Sequence, residues 1–189
     1  MTLAATPTGD LTVYTGPMFA RKTRSLLDAF RDAQRADLSP AMIRPASDVR
    51  TETVQTHDGD RLHGVRPIRV ETGDPHRPRL PRACRVVCLD EVQFLPREVS
   101  AWVERWRLEG RYVYAAGLDL NYLGEPFAVT ADLMAAASHV SKLSAVCDGC
   151  KGRATRTARR DPPETEERVR VGGSDLYAPR CLRCWRTSR

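Results

Sequence analysis

Long apolar runs are missing from this 189-residue chain. The longest uncharged stretches, around Tyr112–Leu118 and Leu133–Ser141, fall far below the roughly 20 residues of a membrane-spanning helix. The first ten residues hold no basic segment followed by an apolar run, so no secretory signal is expected. No internal repeat is evident. Lysine is scarce: only Lys22, Lys142 and Lys151 occur among 30 cations, and the rest are arginine. So uniform a bias resembles a coding preference more than a binding patch. These absences lead us to expect a soluble, cytoplasmic protein without a membrane partner.

The composition that is present, 41% hydrophobic and 29% charged, belongs to a folded chain rather than a disordered one. The length suits one domain with a small appendage. Formal net charge is +6, which first suggests an anionic partner. The excess is local. Residues 143–189 hold 11 cations and 6 anions, whereas residues 1–142 hold 19 and 18. The basic tail does not interleave aromatics with its charges, and a nucleic-acid surface would leave the motifs below unexplained. No nucleic-acid partner is therefore expected.

Periodicity predicts alternating strands and helices. Leu11–Thr15 is a short strand, and Lys22–Ala36 a helix with Leu26, Leu27, Phe30 and Ala33 on one side. Further strands are expected at Ala41–Arg44, Val65–Val70, Arg85–Leu89 and Arg111–Ala116. Helices are expected from Pro96 to Glu109 and over the alanine-rich Leu133–Ser141, and a proline-containing loop over Gly73–Pro81. Such alternation implies an α/β fold, a mainly parallel sheet with flanking helices. After residue 142 the texture changes to cysteine pairs, glycines and short β-prone segments. The expected division is 1–142 for an α/β domain and 143–189 for a smaller cysteine-containing domain.

Three motifs carry chemistry. Gly16-Pro-Met-Phe-Ala-Arg-Lys-Thr23 nearly fits a phosphate loop, with a strand before it and a helix after. Backbone N–H groups at a helix start can surround phosphate oxygens. Lys22 would carry charge to them and the Thr23 hydroxyl would ligate Mg²⁺. Arg21 stands where the pattern has glycine. If that position needs φ > 0, the arginine costs about 1–2 kcal/mol in strain. The same residues also suit a Gly-Pro turn before an amphipathic helix with a surface lysine. In the second motif, an apolar strand delivers Asp90 and Glu91 to its C-terminal end, where open α/β sheets bind ligands. Asp90 suits Mg²⁺, and Glu91 suits a general base accepting a hydroxyl proton. The third motif is the pair of knuckles Cys147-x-x-Cys150 and Cys181-x-x-Cys184, separated by 30 residues. Four thiolates so arranged make a closed, structural Zn²⁺ site. Cys84 and Cys88 lack such a pattern.

In this order the pieces resemble the type II thymidine kinase family, the cytosolic cellular class. The segments carrying the resemblance include Gly16-Pro-Met-Phe-x-x-Lys-Thr23, Arg44-Pro-Ala-x-Asp-x-Arg50, Thr56-His-x-Gly59 and Asp90-Glu-Val-Gln-Phe94. Ala116-Gly-Leu-Asp119, Gly124-Glu-Pro-Phe127, Lys142-Leu-x-Ala-x-Cys147 and Val171-Gly-Gly-x-x-x-Tyr177 complete the set. The resemblance implies transfer of the ATP γ-phosphate to the 5′-hydroxyl of thymidine. It places Gly16, Met18, Phe19, Ala20, Arg21, Lys22, Thr23, Asp48, Arg50, Asp90 and Gln93 around Mg²⁺ and ATP, with Glu91 as base. It places Met18, Phe94, Leu118, Tyr122 and Phe127 around the nucleoside. Thr157, Val171, Gly172 and Tyr177 fall on a lasso-like loop over the base, anchored by the Zn²⁺ site. A homotetramer with feedback inhibition by dTTP is implied too. The departures are Arg21 for Gly, Ala20 for Ser, Arg44 for Lys, Thr51 for Tyr and Leu123 for Arg. Arg21 motivates the alternative of a catalytically impaired nucleoside- or nucleotide-binding homologue.

Overall fold

The computed structural model describes residues 8–48, 62, 64–160, 173 and 175–187. Strand β1, Leu11–Thr15, alternates as expected, burying Leu11, Val13 and Thr15. Helix α1, Lys22–Arg35, buries Leu26, Leu27, Phe30 and Ala33. It ends in a Schellman closure: Leu38 N–H donates to Ala33 and Asp37 N–H to Gln34. Asp37 supplies the left-handed residue at φ 55°, where glycine is commonest. Then follow β2 (Ala41–Pro45), β3 (Ile68–Val70), β4 (Val86–Leu89), a 3₁₀ turn over Val92–Phe94, α2 (Val99–Leu108), β5 (Tyr112–Gly117) and α3 (Ala128–Ala136). Strand β6, His139–Lys142, closes the sheet.

These six strands form one parallel sheet in the order β3-β2-β4-β5-β1-β6. Both faces are covered, as parallel sheets require. Helices α2 and α3 bury Trp102, Val103, Trp106, Val129 and Leu133 against Leu11, Val13, Val87 and Leu89. Helix α1 buries Leu26, Leu27 and Phe30 against Met42, Val86, Cys88 and Ala116. No helix among the described residues is long and apolar enough to cross a membrane.

One local reading changes. The alanine-rich helix runs over Ala128–Ala136 rather than Leu133–Ser141, and residues 139–142 pair with the open edge of β1. Ser138 begins that pairing, its N–H donating to Leu11 and its hydroxyl to Asp10. A ladder of backbone hydrogen bonds outweighs the small helix preference of the segment. In addition, β1 and β4, the strands that precede the phosphate loop and Asp90, are not neighbours; β5 lies between them.

Beyond the sheet, β7 (Ala145–Val146) pairs antiparallel with β8 (Arg153–Ala154), and β9 (Arg156–Arg159) with β10 (Tyr177–Arg180). The short helix α4, Leu182–Arg186, follows.

Candidate active site

The phosphate loop begins at Gly16, whose φ of 134° suits only glycine. A Cβ there would lie 2.3 Å from the Leu143 carbonyl oxygen, because Leu143 N–H bonds to Thr15 across the β1 edge. Phe19 and Arg21 both take left-handed backbone, φ 65° and 62°. Arg21 is the cap residue of α1 at ψ 26°, so the conformation that favours glycine is present and an arginine occupies it. Its side chain is exposed, while Ala20 is buried. Lys22 turns back over the loop, its Nζ donating to the Pro17 carbonyl at 2.7 Å. Burial pulls the Lys22 ammonium below the usual lysine range, opposed by the nearby charges of Glu91, Asp119 and Asp90.

Helix α1 crosses β5 and meets the end of β4. Residues two apart in a strand share a face, so Val86, Cys88 and then Asp90 look toward α1. There the Thr23 hydroxyl donates to Asp90 Oδ1 at 3.4 Å. Asp90 is almost fully buried, and its Oδ2 has no hydrogen-bond partner. Arg44 lies in the same pocket, its Nε 3.4 Å from that oxygen, and its other arm is paired with Asp48. Burial and the Glu91 charge raise Asp90 to about 7, with Arg44 opposing the rise. A buried carboxylate with one unsatisfied oxygen, beside a hydroxyl, is a donor set that fits a hard divalent cation such as Mg²⁺.

Glu91 follows the strand at φ 52° and caps the 3₁₀ turn. Gln93 Nε2 donates to Glu91 Oε2. The orientation of Gln93 is set from behind, since its Oε1 accepts from Leu118 N–H at 3.0 Å. Gly117 allows this approach: a Cβ there would meet Gln93 Oε1 at 2.8 Å and Val92 Cγ2 at 2.5 Å.

Leu118 opens the loop that runs to Phe127. Asp119 holds its base, accepting from Leu120 N–H at 3.0 Å and pairing with Lys142 at 3.3 Å. Phe127 stacks edge-on against Phe94, ring centroids 6.3 Å apart. Tyr122 meets Arg159, whose guanidinium carbon lies 5.7 Å from the ring centroid. On β9, Thr157 is buried and accepts from Met18 N–H at 3.0 Å, tying the cysteine module to the phosphate loop. Tyr177, also buried, pairs with Arg159 across β10 and β9. These contacts link described residues of the expected set from six separate segments: 16–23, Asp48, 90–94, 118–127, Thr157 and Tyr177. Arg50, Val171 and Gly172 lie outside the described residues.

Sequence reasoning assigned no site role to Arg44, Asp119 or Arg159. A charged residue inside the apolar run Ala41–Pro45 was the available signal for Arg44. Asp119 was visible only as the last residue of the segment Ala116-Gly-Leu-Asp119, and Arg159 gave no local sign, because its partner is remote in sequence.

The four sulfurs of Cys147, Cys150, Cys181 and Cys184 lie within 4.8 Å of one another. Cys184 N–H points at Cys181 Sγ, the N–H···S geometry of a knuckle. Backbone N–H donation, led by Cys150, lowers Cys147, whereas side-chain hydrogen bonding with Cys181 and Cys150 raises Cys184. Four cysteine sulfurs converging from two knuckles form a donor set that fits a soft-ligand cation such as Zn²⁺.

Comparison with known proteins extends this picture. The family model named thymidine kinase matches residues 9–185. A thymidine kinase of Thermococcus kodakarensis is 35% identical over 183 residues, covering 93% of each chain. A thymidine kinase of Pyrobaculum aerophilum is 35% identical over 179 residues, covering 92% of this chain and 96% of its own.

Proposed function

Since the chain belongs to the thymidine kinase family, we propose that it moves the γ-phosphate of ATP to the 5′-hydroxyl of thymidine at the site just described. The observation that carries the reading is the meeting of Thr23 with Asp90 at 3.4 Å, beside Glu91. It joins a phosphate loop to an acidic strand end across an intervening strand. Phosphoryl transfer needs positioning, charge neutralisation and a proton acceptor. Lys22 and the loop from Gly16 to Arg21 would hold the polyphosphate, with Asp48 and Arg50 beside it. Thr23 and Asp90 would hold Mg²⁺, which when bound neutralises charge on the phosphate oxygens. Glu91, oriented by Gln93, would accept the hydroxyl proton. Met18, Phe94, Leu118, Tyr122 and Phe127 would surround the nucleoside, with Thr157, Val171, Gly172 and Tyr177 closing over the base and excluding water. Residues 1–142 and 143–189 would act as donor domain and metal-stapled lid. The resemblance also supports a cytoplasmic homotetramer inhibited by dTTP.

The test is a kinase assay with thymidine, deoxyuridine and deoxycytidine side by side. Magnesium-dependent conversion of thymidine to dTMP by ATP is expected; no turnover by well-folded protein would sink the reading.

Arg21 supports a second reading, of a handicapped donor site, since a left-handed residue with a side chain stands in the loop. We expect the Arg21→Gly enzyme to turn over near the natural rate, because the arginine side chain is exposed. Relief of about 1–2 kcal/mol of strain would be partly offset by glycine entropy. Thermal melts and ATP titrations check both points, and a tenfold or greater gain in turnover (about 1.4 kcal/mol) would instead favour the handicapped reading.

Metal removal gives a further prediction. The intact protein should carry about one Zn²⁺ per chain, measured by elemental analysis, as a closed four-thiolate site requires. A Cys150→Ser variant or strong chelation should abolish thymidine turnover while the helical circular dichroism of the sheet domain persists. Full metal-free activity would contradict it.

A further inference from the structure

Several contacts join the cysteine module to the loop between Leu118 and Phe127. Trp185 directly follows the metal-ligand candidate Cys184. Its indole Nε1–H donates to the Tyr122 carbonyl at 3.0 Å. The ring also lies against Gly124, where a Cβ would sit 2.8 Å from Trp185 Cη2. Arg156 of β9 covers the ring, its guanidinium carbon 5.9 Å from the centroid. Such a cation–π contact holds the ring in place.

The loop itself has two levels of support. Its turn is self-held: the Asn121 side-chain oxygen accepts from Leu123 N–H at 3.0 Å and Glu125 N–H at 2.9 Å. Its base is attached to the sheet through Leu118 and Asp119. Those bonds shape the turn without setting where its tip stands relative to the lid. The indole bond to the Tyr122 carbonyl does so from the cysteine module, alongside the Arg159 contact to the Tyr122 ring.

We propose that Trp185 is a positioning residue for the nucleoside acceptor: it sets the tip of this loop from the cysteine module, so that the order of the module is read out as thymidine affinity. The proposal rests on the thymidine kinase reading for its substrate and on the contacts above for its mechanism. Trp185 is placed to act through Tyr122 and Gly124.

Trp185→Phe keeps an aromatic ring against Gly124 and Arg156 but loses the N–H donor. The variant should raise KM for thymidine about three- to tenfold, the range expected for one neutral hydrogen bond. KM for ATP and kcat should stay close to natural values. Trp185→Ala should raise KM for thymidine further. Backbone amides of residues 121–125 should exchange hydrogen faster in both variants, while those of β4 stay protected. Unchanged thymidine KM in folded Trp185→Ala protein would overturn the proposal, as would equal rises in both KM values that track a fall in Tm. If the natural enzyme itself fails to phosphorylate thymidine, the functional reading falls. The exchange measurement then still decides whether Trp185 positions the loop, and unchanged exchange at residues 121–125 in Trp185→Ala would overturn that as well.

Discussion

A Glu91→Gln enzyme should bind both substrates and scarcely turn over. The substitution keeps the shape of the side chain and an oxygen able to accept from Gln93, but it removes the group we assign as base. Loss of a positioned general base lowers kcat by roughly 10²–10⁴. KM for ATP and thymidine should change little, because neither the phosphate loop nor the aromatic pair Phe94–Phe127 is touched. Steady-state kinetics with a parallel melting curve check this. A kcat within a few-fold of natural would move the role of base elsewhere. Glu91 already sits at φ 52°, a backbone conformation that costs about 1–2 kcal/mol. That cost is carried at the residue whose direction the chemistry needs.

Arg44→Met should destabilise the fold by about 3–5 kcal/mol, the usual effect of removing one partner from a buried charged cluster. Arg44, Asp48 and Asp90 are all nearly inaccessible to water, and the arginine is paired with both acids. Without it, the buried carboxylates of Asp48 and Asp90 lose the cation they share. At about 2–4 °C per kcal/mol for a chain of this size, Tm should fall by on the order of 10 °C. Arg44→Lys, which keeps the positive charge, should lose less than Arg44→Met. Burial and the Glu91 charge already favour the protonated form of Asp90, which offsets part of that cost. Differential scanning calorimetry distinguishes the outcomes, and a Tm shift within a degree or two for Arg44→Met would contradict the role given to the cluster. Such a shift would mean that the two acids find other partners.

Much of this protein is local and therefore legible. The strand before the phosphate loop, the amphipathic spacing of α1 and the apolar run of β4 depend on neighbours in sequence, and all three stand where periodicity places them. The cysteine knuckles are legible for the same reason. Each pair is short enough to fix two ligands in one turn, and the pairs meet as expected. The motif raised φ > 0 at Arg21 as a condition, and the backbone there is left-handed. Residues 139–142 were not legible, because helix preference is weak and an open strand edge decides the matter.

By itself the amino-acid sequence determined the order of elements, the chemistry of the phosphate loop, the acidic strand end and the four-thiolate set. Tertiary structure decided which distant groups meet. It put β5 between the two motif strands, joined Arg44 to Asp48 and Asp90, and hung the loop from Leu118 to Phe127 on Asp119 and Trp185. The physical reason is range. Periodicity and motif spacing act over one or two turns of chain. Strand order and the partners of buried charges arise only when the whole sheet is covered and each charge removed from water must find its counterpart.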